Sequence, residues 1–213
     1  MGSTRPGPGP GRTFRARRHA IVKKRILILV GHPRPGSFCH ALAREYFEGA
    51  AAAGAETRVL ALDQLRFDPV LHGGFQGGQP LEEDLAAAQE AILWAEHLVF
   101  VYPVWWGTMP ALLKGFIDRV FLPGFAFKYR AGSPFWDRLL TGRTAELIVT
   151  MDSPPWYYRW ITRQPGHRMM KKTVLEFCGV KPVGITSFGG VRRSSPEKRE
   201  GWLARARALG KTA

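Results

Sequence analysis

The chain of 213 residues has only two cysteines, Cys39 and Cys178, set far apart. That scarcity excludes a disulfide framework and a zinc cluster, so no metal site is expected, and it points to a reducing, cytoplasmic setting. No apolar run approaches the roughly eighteen residues that a membrane span needs. The longest, Ile26 to Val30 and Leu98 to Val104, have the length of strands. Neither G-x-G-x-x-G nor a Walker loop is present, so neither a Rossmann nicotinamide site nor an NTPase is indicated. No acid/base dyad and no internal repeat stand out.

Positive charge is abundant, with a net +14, but it is unevenly placed. Residues 1–25 carry eight Lys/Arg and no acid, residues 192–213 carry a net +5, and the body between them carries a net +1. A neutral body with basic ends is not the footprint of a specific nucleic-acid binder. Residues 1–22 are rich in Gly, Pro and Arg and poor in large apolar side chains, so a disordered basic extension is expected there. An Arg-rich, acid-free leader is also a feature of transit peptides, although its Pro and Gly content opposes an amphipathic helix. A start of translation near Val22 is a third reading. Residues 23–213, in a chain that is 45% hydrophobic, suit one domain with a full core.

Within that domain, strand and helix patterns alternate. Lys24 to Val30 reads as a buried strand ending at Gly31, and Ser37 can cap a helix running to about Ala53. Thr57 to Leu62 is a short strand. A glycine-rich loop, His72 to Gly78, leads to a helix from Leu81 to Glu96, whose first turn gathers Glu82, Glu83 and Asp84. Leu98 to Val104 is the third strand. Thr108 and Pro110 open a helix with Met109, Leu112, Leu113, Phe116, Ile117, Val120 and Phe121 on one face. Thr144 to Met151, a helix from Pro165 to Phe177, the strand Val183 to Phe188 and a final helix from Ser195 complete the series. Five strands alternating with helices predict an α/β fold with a five-stranded parallel sheet and helices on both faces. Ligands of such folds sit beyond the C-terminal strand ends, at the switch point.

Three loops then matter. Gly31-His-Pro-Arg-Pro-Gly-Ser-Phe joins a strand to a helix N-terminus, so it is either an anion site with His32, Arg34 and Ser37 or an ordinary tight turn capped by Ser37. Tyr102-Pro-Val-Trp-Trp-Gly-Thr-Met-Pro carries two adjacent tryptophans. On an extended chain these point opposite ways, so one of them is expected to offer a flat face to a ligand or partner. The N–H groups of Val104 to Gly107 are candidates for meeting a planar heterocycle edge-on. Asp152-Ser-Pro-Pro-Trp-Tyr-Tyr is expected to be a stiffened loop that walls a pocket or covers a dimer partner. A phosphate loop beside aromatic loops suits flavin better than a free nucleotide. No acid is placed for a ribose, and no Lys-Ser/Thr pair for magnesium.

GHPRPGSFCHALA and YPVWWGTMPALLKGFIDRVFLPGFAF resemble the flavodoxin-like NAD(P)H:quinone oxidoreductase family. The resemblance implies a flavodoxin-like three-layer sandwich with strand order 2-1-3-4-5, a homodimer, a bound flavin, and hydride passed from NAD(P)H to quinones by ping-pong transfer. It implies FAD rather than FMN, because loop two is most similar to FAD-containing reductases. It places His32, Ser37, Phe38 and Cys39 at the flavin phosphate, and Pro103, Val104, Trp105, Trp106 and Gly107 along the ring. Tyr157, Tyr158 and His167 are positional candidates for polar groups over the flavin. Cys39 stands where the family commonly has Asn, Gly107 where it commonly has an aromatic, and Thr150-Met-Asp-Ser-Pro-Pro where it has a Thr-Gly-Gly-like turn. A one-electron flavodoxin-type carrier and an ancillary flavoprotein subunit of a membrane transporter are the alternative functions.

Overall fold

The computed structural model describes residues 1, 23–76 and 78–213. The expected basic extension, Met1 apart, lies outside these residues. Five strands form one parallel sheet: β1 (Arg25–Val30), β2 (Glu56–Ala61), β3 (His97–Pro103), β6 (Thr144–Met151) and β7 (Val183–Gly189), in spatial order β2-β1-β3-β6-β7. Counted along the sheet's own strands this is 2-1-3-4-5, the order expected. Every residue of β3 is buried, as a central strand covered on both faces requires. The register runs Val30 against Val101 and Pro103 against Thr150, which brings the ends of β1, β3 and β6 to one edge.

One face of the sheet packs on α1 (Phe38–Ala52) and α7 (Pro196–Lys211). These two helices approach closely because glycines face backbone at the crossing. A Cβ on Gly49 would lie 2.1 Å from the Arg207 carbonyl oxygen, and one on Gly210 2.1 Å from that of Tyr46. The other face packs on α2 (Glu83–Trp94) and α3 (Ala111–Val120). The apolar stripe expected of α3 is buried through Leu113, Phe116, Ile117 and Val120, while Lys114 and Asp118 pair at 2.7 Å on its outer side.

Three features depart from the sequence reading. A small antiparallel hairpin, β4 (Phe127–Tyr129) with β5 (Trp136–Arg138), was not expected. Its strands are three residues long, too short for a period-two pattern to register. The third loop is a helix, α4 (Pro155–Trp160), with Pro155 in its first turn, where a missing N–H costs nothing. The helix expected over Pro165 to Phe177 is continuous but not uniform. It runs as α5 (Pro165–Arg168), a π-helical stretch Met169–Leu175, and α6 (Glu176–Cys178).

The acids at the start of α2 do more than meet a helix dipole. Asp84 accepts from the Arg66 N–H, and Glu82 accepts from the Asp68 N–H and a two-pronged contact from Arg119. Arg119 is fully buried and also donates to the Asp68 and Pro80 carbonyls. A Cβ on Gly115 would sit 2.5 Å from Pro69. Much of the K-G-x-x-D-R motif therefore clamps the long connection after β2 onto α3.

Candidate active site

Gly31 closes β1 against Val101 and leads into α1. Ser37 occupies the N-cap position with extended backbone, but its side chain makes no cap bond. Its hydroxyl instead lies 2.8 Å from His40 Nδ1, and His40 Nε2 lies 2.9 Å from Asp63. The expected serine cap is thus corrected. The hydroxyl is turned toward His40 and meets none of the first-turn N–H groups of α1, which are left for another acceptor. A cleft of about 270 Å³ opens over this helix end, lined by His32, Arg34, Ser37, Phe38, Cys39, Pro103, Val104, Trp105, Met151 and Arg192.

Its electrostatics favour an anion. Among the described residues neither Arg34 nor Arg192 has an ion-pair partner. Asp152 is the one acid in the lining, and its Oδ1 already accepts from the Arg192 N–H at 2.8 Å. His32 supplies a donor rather than a charge. Burial, then the Arg34 charge, lower its pKa, and its Nδ1 accepts from the Arg34 N–H, which leaves the proton on Nε2. Burial pushes the Cys39 thiol up to about 11, and its sulfur touches the Thr150 hydroxyl at 3.4 Å. Cys39 is a buried strut between α1 and β6, not a nucleophile.

The second loop is a two-residue hairpin. Trp105 and Thr108 exchange N–H and carbonyl bonds of 2.8 and 3.0 Å around Trp106 and Gly107, both at positive φ. That is the pattern of a type I′ turn, which glycine accepts and tryptophan rarely does. The tryptophans were expected on extended chain, but they sit on a turn. Trp105 is partly exposed and meets His32 edge to face at 5.5 Å, and Trp106 is fully exposed. The Val104 N–H is taken by the Thr150 carbonyl and the Trp105 N–H by Thr108. Of the four N–H groups considered for a heterocycle edge, those of Trp106 and Gly107 remain.

The third loop locks onto the second. The Gly107 carbonyl accepts from the Tyr158 hydroxyl at 2.9 Å and from the Gly166 N–H at 3.0 Å, and that N–H also donates to Tyr158. A Cβ on Gly166 would strike the Gly107 oxygen at 2.8 Å. Tyr158 and His167 are each 3% exposed and pack ring to ring. His167 Nε2 lies 2.8 Å from the Ser187 hydroxyl. The Tyr158 hydroxyl donates to one backbone carbonyl and accepts from one backbone N–H, so it braces the second loop against the third. His167 is a wall residue beside β7, while Tyr157 is partly exposed. Trp156, Trp160 and Ile161 on and beside α4 are exposed.

The sequence pattern of a family described as having a flavodoxin-like fold matches residues 24–211. The chain belongs to this flavodoxin-like family. An uncharacterised NAD(P)H oxidoreductase of Haemophilus influenzae is 27% identical over 183 residues, 83% of this chain and 89% of that protein. A ribosyldihydronicotinamide dehydrogenase [quinone] of Pongo abelii is 27% identical over 209 residues, 86% of this chain and 89% of its own. Among solved structures, the NAD(P)H:quinone oxidoreductase of Methanothermobacter marburgensis superposes with a TM-score of 0.73 at 28% identity, covering 89% of this chain and 96% of its own.

Sequence reasoning missed part of this flavodoxin-like cleft. Arg192 arrives from the loop after β7, and Asp152 fixes its backbone. The signal was the Gly189-Gly190 pair, whose second glycine sits at positive φ, one residue ahead of Arg192 and Arg193. Gly166 was legible only as a helix start, since its close approach to Gly107 is a tertiary fact.

Two buried rings give a pH dependence. Desolvation pushes His97 and His167 down to about 4, below the roughly 6.5 of an unfolded histidine. Between those values the unfolded chain binds protons that the folded chain refuses. Their contribution to stability is therefore complete above about pH 6.5 and falls as pH drops toward 4. Denaturant midpoints should fall steadily across that window. A flat profile would contradict the burial of two neutral imidazoles.

Proposed function

We propose that the chain is a flavin-dependent NAD(P)H oxidoreductase that passes hydride to quinones or related acceptors. The observation that carries this reading is the uncapped N-terminus of α1, flanked by two arginines without ion-pair partners among the described residues, beside an aromatic turn at the same sheet edge. The donor set suits a flavin phosphate: helix N–H groups, the His32 Nε2–H, and Arg34 and Arg192 as charge-assisted donors. Pro103 to Gly107 would lie along the ring, with the Trp106 and Gly107 N–H groups free to meet its polar edge. A bound flavin supplies two-electron chemistry between a nicotinamide and a quinone. The residues bind, orient and shield. Tyr158 and Gly166 hold the turn in place through the Gly107 carbonyl, and Met151 walls the cleft from β6.

The finer readings are FAD as the flavin, a homodimer and a cytoplasmic setting. FAD rests on the character of loop two. The dimer rests on the exposed apolar surface of Trp106, Trp156, Trp160 and Ile161, which a second copy would cover. Among the described residues no helix is long and apolar enough to cross a membrane.

The test is steady-state turnover. One aromatic cleft takes donor and acceptor in turn, so NAD(P)H and a benzoquinone should give parallel double-reciprocal lines. Intersecting lines would mean both are bound together. Absence of turnover with every quinone would overturn the reading.

A further inference from the structure

The strand ends opposite the candidate active site carry a second group of polar side chains, which the proposed chemistry does not use. β6 runs eight residues between the two, roughly 25 Å. There a cavity of about 430 Å³ opens between the sheet and the last turn of α7, within the size range of small-molecule sites. Its middle is uncharged. His97 Nε2 lies 3.1 Å from the Tyr46 hydroxyl and its Nδ1 2.6 Å from the Thr144 hydroxyl, and burial keeps the ring neutral. Pro182, Val183 and Leu209 supply apolar wall. Two charged side chains remain in the lining, Glu146 and Lys24. Among the described residues neither has an ion-pair partner. Glu146 Oε1 accepts from the Thr186 hydroxyl at 2.8 Å, and no hydrogen bond from the described residues reaches Oε2. A Cβ on Gly184 would lie 2.1 Å from Oε2, so glycine there leaves room for the carboxylate. Burial raises the Glu146 pKa, opposed by Thr186 and the charge of Arg205. A partly buried carboxylate without a counter-ion is costly unless a cation completes it.

The register fixes how far apart these two charges stand. Ile26 pairs with His97, and His97 with Thr144. Lys24 lies two residues before Ile26 and Glu146 two after Thr144, so both belong to the face that packs on α1 and α7. At ordinary strand spacing and rise their Cα atoms are roughly 16 Å apart. Side chains stand roughly perpendicular to a sheet, so a ligand that joins the two charges must be long. We propose that this cavity binds a linear ω-amino acid, its ammonium on Glu146 Oε2, its carboxylate on Lys24 and its methylenes against Pro182, Val183 and Leu209. An extended chain of about six carbons with a hydrogen bond at each end covers about 14 Å. A shorter zwitterion reaches one charge only. The site lies apart from the cleft, and binding there requires neither flavin nor nicotinamide.

The full-length protein, as purified, is titrated by calorimetry with 6-aminohexanoate, glycine, hexylammonium and hexanoate. 6-Aminohexanoate should bind at least about tenfold more tightly than the other three, the difference expected of one charged hydrogen bond. Glu146→Gln keeps the shape and the Thr186 contact, and it should weaken 6-aminohexanoate binding by about tenfold or more. Lys24→Gln, a change at an exposed side chain, should do the same. Gly184→Ala leaves both charges in place and should also weaken binding, by crowding Oε2. Thermal melts of the ligand-free variants show that each is folded. No binding of 6-aminohexanoate, or equal binding of glycine or hexylammonium, would overturn the site. Unchanged affinity in Glu146→Gln or in Lys24→Gln would overturn it as well.

Discussion

Replacing Arg34 and Arg192 together by alanine should give a folded protein that no longer holds its flavin. Both guanidinia line the cleft over α1, and among the described residues neither has an ion-pair partner. A hydrogen bond from a charged donor contributes roughly 1.5–3 kcal/mol, so losing two should weaken flavin binding by about a hundredfold or more. Stability without flavin should hardly move. Arg34 is exposed, and the contact that fixes the Arg192 loop runs from its backbone to Asp152. Surface changes of this kind stay within about 0.5 kcal/mol. Fluorescence titration of the flavin-free protein with FMN and FAD, beside its thermal melt, separates the two quantities. Retained affinity would show that the phosphate is held elsewhere.

Arg119→Met should have the largest effect on stability, and it lies away from the cleft. The guanidinium is fully buried and bonds two carbonyls and Glu82. Methionine keeps the bulk but leaves those acceptors without donors. Breaking a buried pair costs about 3–5 kcal/mol. The lower end applies here, because the Glu82 side chain is 33% exposed. For a chain of this size that is roughly 6–12 °C in melting temperature. The pH dependence has a definite sign. Burial alone would raise the Glu82 pKa, but the Asp68 N–H and Arg119 outweigh it and the net shift is downward. The contribution is therefore present above the ordinary glutamate range and lost as pH falls through the folded value. In Arg119→Met that acid-side loss should shrink. A variant that melts like the parent would mean the clamp is not under load.

The strand–helix alternation was legible because the central strands are continuous apolar runs and α3 has a full 3.6-residue stripe. The two site loops were legible for a related reason, since the fold rule places them at the strand ends whatever their detail. What a side chain does within a loop was not legible. Ser37 has the residue type and position of a cap, yet His40 takes its hydroxyl. Tyr158 and His167 have the right types near the right strand, yet one braces Gly107 and the other faces Ser187. In each case a partner distant in sequence, or a competing neighbour, decides the role, and spacing along the chain carries no record of it. The Trp106–Gly107 turn is intermediate. The glycine hinted at positive φ, but only the bonds from Val104 to Thr150 and from Trp105 to Thr108 show that two of the four expected N–H donors are already committed.

The visible absorption spectrum of the purified protein, followed by chromatography of whatever it releases, tests the central claim most directly. The uncapped helix, the arginine pair and the aromatic turn together predict a yellow protein with flavin bands near one flavin per chain, and FAD in the released fraction. A colourless protein that binds neither FMN nor FAD on reconstitution would contradict the account.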